Sequence, residues 1–91
     1  MIELKTVLSL AIEAESKGLS DELLSEFRSR HPGVVFATDD DDNITEVKPV
    51  ITKEGFNVYL VDTSDHCLTL TRDPETAGGV LFATISDDDE D

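Results

Sequence analysis

Two stretches of this 91-residue chain gather side chains able to do chemistry. The first is Asp39-Asp40-Asp41-Asp42-Asn43. Clustered carboxylates are hard oxygen donors, suited to Ca²⁺, Mg²⁺ or Mn²⁺. Asp39, Asp41 and Asn43 even fall on the first three alternate positions of an EF-hand loop. The match then breaks, because Ile44 stands where that loop needs Gly and Val50 where it needs a bidentate Glu. An EF-hand is excluded. A solvated acidic loop is the plainer reading, since charge runs usually serve solvation or interaction. Asp39 and Asp41 stay as candidate metal ligands, and Asp40 and Asp42 as points where a protein partner would touch.

The second stretch is His66-Cys67, flanked by Asp62 and Asp65. Imidazole and thiolate suit iron and softer metals, and a Cys-His pair can also make a nucleophile. Adjacent strand residues point to opposite faces, however, so these two should diverge. A zinc site would want about four ligands at ordered spacings. The other histidine, His31, falls at the expected end of a helix. His66 and Cys67 are therefore metal-ligand candidates, while a catalytic dyad, which needs hydrogen-bond contact, is not expected. Gly78-Gly79 precedes a strand and not a helix, so it reads as a turn and not as a phosphate cradle. Ser64 lacks a G-x-S-x-G context. No catalytic residue, no cofactor and no enzyme activity are expected.

The elements that must position these residues centre on residues 55–73, GFNVYLVDTSDHCLTLTRD. Phe56, Val58 and Leu60 alternate on one arm, Leu68 and Leu70 on the other, with Asp62-Thr63-Ser64-Asp65 supplying turn chemistry. Pairing Leu60 with Leu68 and Val58 with Leu70 gathers the apolar set on one face and implies a three- or five-residue loop. Val61 then faces Cys67, and Tyr59 faces Thr69, on a second, semi-apolar face. Left uncovered, that face would offer Tyr59 as a docking residue. Alternatively, residues 44–51 fold over it.

Residues 2–17 carry Leu4, Val7, Leu8, Ala11, Ile12 and Ala14 at helical spacing. Gly18 is placed to end that helix. Ser20 is a good N-cap for a second, with Asp21 and Glu22 in its first turn and Leu19 positioned to staple onto Leu24. His31-Pro32-Gly33 stops it after Arg28 and Arg30. Residues 34–38 suit a buried strand, 44–52 a loop leading into an irregular or edge strand, 73–79 a loop and 80–85 a last strand. The expected fold is α+β: a hairpin of two helices packed on a small, mostly antiparallel sheet of three or four strands. Residues 1–85 form one domain, and the acidic tail 86–91 is expected to be disordered.

Charge narrows the partners. Twenty-one acidic residues face seven basic ones, for a formal net charge of −14. Residues 39–42 supply four of those acids and 87–91 five. Such a surface repels nucleic-acid backbones and anionic membranes, and suits a protein partner with a basic patch or a hard cation. One cysteine allows no internal disulfide. The first helix carries Glu3, Glu13 and Glu15 within its apolar pattern, unlike a signal peptide or a membrane span. A cytoplasmic protein is expected, with its oligomeric state left open.

The runs KGLSDELLSEFRSRHPGVVFATDDDD, KPV, GFNVYLVD, DHCLTLTRD and AGGVLFATI resemble a family of small acidic bacterial proteins described as putative nitrogen-fixation proteins. The likeness spans most of the chain from about Gly18, and it carries no catalytic or ligand residues. It implies a setting: the cytoplasm of a diazotroph-type bacterium, beside nitrogenase or its iron-sulfur and electron-transfer machinery. Two expectations follow. One is a non-enzymatic accessory protein that docks through its acidic runs and the Tyr59 face. The other is a divalent-metal, iron-handling protein using residues 39–42 or His66 with Cys67.

Overall fold

The computed structural model describes residues 2–44, 47–64 and 69–85. Helices α1 (Leu4–Lys17) and α2 (Asp21–Arg30) come first. Strand β1 (Val35–Asp40), a 3₁₀ turn (Asp41–Asn43), β2 (Ile51–Thr52), β3 (Phe56–Asp62), β4 (Thr69–Thr71) and β5 (Ala77–Thr84) follow. This is the expected α+β fold, two helices on a mostly antiparallel sheet.

The helix ends follow their local chemistry. Gly18 closes α1 with φ 86°, a conformation that suits glycine, and its N–H bonds the Ala14 carbonyl at 2.8 Å. Ser20 caps α2 by accepting from the Leu23 N–H at 3.1 Å. Asp21 and Glu22 lie in its first turn and Arg28 and Arg30 in its last, both in favour with the helix dipole.

The buried stripe of α1 differs from the expected one. Val7, Leu10, Ala11 and Ala14 face the sheet, whereas Leu4, Leu8 and Ile12 are about half exposed. Both sets have helical spacing, so periodicity alone could not choose between them. Between the layers runs a line of four rings. Phe27 of α2 lies 5.7 Å from Phe36 and 6.0 Å from Phe82, which is itself 5.9 Å from Phe56.

The sheet order is β1-β5-β3-β2, with β4 also paired to β3. Since β5 takes one side of β3, β2 and β4 share the other, β2 against residues 57–58 and β4 against 60–62. Among the described residues, five strands thus fill four positions. Every pairing is antiparallel except β1 with β5, which is parallel.

The hairpin register also differs from the expected one. Thr71 lies opposite Leu60, Leu70 opposite Val61 and Thr69 opposite Asp62. Leu70 therefore stands on the Tyr59 side, and not with Val58. The cause is β5, which already matches the apolar face of β3 by setting Phe82 opposite Val58 and Val80 opposite Leu60. Strand β4 is left as a short outer strand that the core does not hold in register. The expected partners Leu68 and Cys67, together with His66 and the tail 86–91, lie outside the described residues.

Gly78 and Gly79 are not in a turn but inside β5. Val61 pairs with Gly79 and Asp62 with Ala77, so Gly78 is the extra residue of a β-bulge. The bulge restores Ala77 to the helix-facing side, where it is buried. Gly79 is required for another reason: a Cβ there would stand 2.8 Å from the Val35 carbonyl oxygen.

Candidate functional site: an acidic pole

The aspartate run is not one loop. Asp39 and Asp40 extend β1 at the sheet edge, and Asp41 and Asp42 begin the 3₁₀ turn. Their carboxylates divide by role. Asp39 accepts from its neighbour's N–H at 2.8 Å and from the Asn43 amide at 2.9 Å. Those bonds, the Asn43 one foremost, hold its carboxyl below the usual range. Asp41 turns over the second face of the sheet, where one oxygen accepts from the Tyr59 hydroxyl at 2.8 Å and the Asn57 amide at 2.9 Å.

Tyr59 is consequently not presented on an open face. It is 3 % exposed, with Val61 2 % and Ala83 0 %, on the face that would have been open. The chain explains the cover: β1 and β2 lie at opposite edges of the sheet, so the segment joining them must cross it. Asp41, bonded to Asn57 and Tyr59, marks the face that it crosses. Burial foremost, then the Asp41 hydrogen bond and charge, pushes the Tyr59 phenol above its ordinary value, against a smaller opposing effect of Asn57.

Asp40 and Asp42 remain exposed. Asp40 receives a 3.3 Å contact from the Thr84 hydroxyl, and Asp42 makes no side-chain bond among the described residues. Of the metal candidates, Asp39 and Asp41 each serve the fold. Among the described residues no three His, Cys, Asp or Glu side chains gather as a metal would need.

The parallel pairing of β1 with β5 joins features that are far apart in sequence. Asp40 lies opposite Thr84, so both strands end at the same pole. The 39–42 run leaves from one, and the sequence continues from the other through Ile85 into the acids of 87–91. Ile85 donates its N–H to the Gly55 carbonyl at 3.1 Å, which brings the β2–β3 turn and Glu54 to this pole as well. The α1–α2 turn completes it. Ala14, Glu15, Leu19, Glu54, Phe56 and Thr84 line a groove of about 410 Å³ there. Two cations stand nearby, Lys17 on Glu13 at 2.9 Å and Lys53 on Glu15 at 3.3 Å.

A long-range parallel pairing leaves no local mark, so sequence reasoning missed Glu15, Glu54 and the groove. Among the described residues no helix is long and apolar enough to cross a membrane. No curated protein and no solved structure matches the chain. A family model does match, over residues 9–85, and the chain belongs to that family of unknown function, DUF6129.

Proposed function

We propose that this is a non-enzymatic accessory protein that docks, through its acidic pole, onto a basic patch of a protein partner. The observation that carries the reading is that β1 and β5 end at the same pole, Asp40 opposite Thr84. Residues 39–42 stand at the end of one, and the sequence runs on from the other toward the acids of 87–91. Charge concentrated at one end steers encounter and makes association salt-sensitive, in a way that the same charge spread evenly does not. Asp40 and Asp42 are the contact residues, since the other two aspartates of the run are engaged within the fold. The resemblance to putative nitrogen-fixation proteins supplies the place to look: a cytoplasmic partner among nitrogenase components or iron-sulfur and electron-transfer proteins. Iron handling is the lesser reading, because Asp39 and Asp41 would have to give up bonds to Asn43, Asn57 and Tyr59.

Site-specific photocrosslinking in the source cells tests this. A photoreactive residue replacing Asp42 should give one discrete adduct, lost at high salt and in an Asp40→Asn background. The same residue replacing Glu75, in the β4–β5 connection at the other pole, should give none. Equal labelling from both positions, or an adduct indifferent to salt, would overturn the reading.

A further inference from the structure

The groove at the acidic pole has more chemistry than a charged surface. Three apolar residues line it: Ala14 at the end of α1 and Phe56 at the start of β3, both buried, and the half-buried Leu19 in the helix turn. Two acidic residues also line it, Glu15 and Glu54, both exposed, together with the half-buried Thr84. Its volume, about 410 Å³, falls within the size of pockets that hold small ligands and side-chain anchors. Glu15 has one partner, Lys53, at 3.3 Å, and Glu54 is exposed with no ion pair among the described residues. Thr84, which lines the groove, also donates to Asp40 at 3.3 Å, so the groove adjoins the proposed docking surface.

Resting on the interaction reading above, we infer that this groove receives an anchor from the basic partner: an arginine or lysine next to an apolar residue. Long cationic side chains bury their methylene stems on apolar surface and keep the charged head at its edge. Leu19, half-buried, offers most of that surface, with the small exposed part of Phe56 beside it, and Glu54 and Glu15 meet the head. An anionic occupant is disfavoured by the same two carboxylates. So is the chain's own continuation beyond Ile85, with five acids in six residues. A purely apolar occupant would leave Glu54 without an ion-pair partner among the described residues.

The test uses the full chain, ¹⁵N-labelled, titrated with three capped dipeptides: Ac-Leu-Arg-NH₂, its neutral citrulline counterpart, and Ac-Gly-Arg-NH₂. Amides of Gly18, Gly55 and Thr84 report on the groove. The Leu-Arg peptide should give saturable shifts there. The other two should bind at least about tenfold more weakly, as the loss of a charge-assisted bond or of a buried side chain implies. Glu54→Lys, on an exposed turn, should abolish the response, while Glu75→Lys at the other pole should not. Citrulline binding as well as arginine would overturn the charge requirement, and shifts confined to Asp40 and Asp42 would overturn the groove. That second outcome leaves pole docking intact. A groove response with no crosslink from position 42 would instead sink the partner reading and keep the groove.

Discussion

Asp41 is where residue-scale chemistry decides the most. An aspartate in a run of four reads as solvated, yet this one spends its carboxylate on Tyr59 and Asn57 and so fixes the path of the crossover. Removing the phenol with Tyr59→Phe leaves Asn57 as the remaining donor. The expected cost is about 1.5 kcal/mol, the lower end for a hydrogen bond to a charged group, because Asp41 is only half-buried. Urea unfolding measures it, and an unchanged midpoint would mean that water replaces the hydroxyl without loss. The same contact sets a pH dependence. The phenol's folded pKa is raised, so its contribution is whole below about pH 10, the unfolded value. Above that, the unfolded chain loses the proton first, and stability should fall as pH rises. As this is the chain's one tyrosine and there is no tryptophan, its ultraviolet titration should show the displacement directly and lose it in denaturant.

At the scale of elements, β5 governs the sheet, and its glycines are what let it do so. Gly79→Ala should cost about 1–3 kcal/mol, the usual penalty of overpacking, because the new methyl meets the backbone oxygen of Val35. Gly78→Ala meets the side-chain hydroxyl of Thr63 instead. Its penalty should shrink in a Thr63→Ala background, whereas that of Gly79→Ala should not. A double-mutant cycle by thermal or urea unfolding separates the two, and equal coupling would contradict the bulge geometry. The helix hairpin, the Ser20 cap, the Gly18 stop and the alternation of β3 were legible in the sequence because neighbouring residues decide them. The register of β4 was not, because it depends on β5 having matched Val58 and Leu60 first. Nor was the role of Gly78-Gly79, since a glycine pair looks the same in a turn and in a bulge. The cover over Tyr59 could be posed as an alternative but not chosen, because the two hydrogen bonds that Asp41 accepts, from Tyr59 and Asn57, decide it.

At the scale of the whole molecule, the question is whether −14 charges act evenly or from one end. Like charges repel in the compact state, and salt relieves that repulsion over a Debye length of about 10 Å at 0.1 M. The melting temperature should therefore rise as NaCl goes from about 20 mM to about 500 mM, a range over which surface charges pass from coupled to screened. Position should matter as much as number. Asp40→Asn with Asp42→Asn removes two charges at the end of β1, the pole where Thr84, Glu54 and Glu15 line the groove. Glu3→Gln with Glu75→Gln removes two from the other pole, where Ile2 bonds the Pro74 carbonyl at 3.0 Å. Net charge changes equally in both, so a difference in salt slope reports local density alone. The first pair should flatten the slope more. Equal flattening would mean that the acids act as a diffuse shell, and the case for docking at one pole would lose its electrostatic basis. A steeper loss from the Asp40/Asp42 pair would show that the fold, by setting β1 parallel to β5, builds its charge into a directed surface.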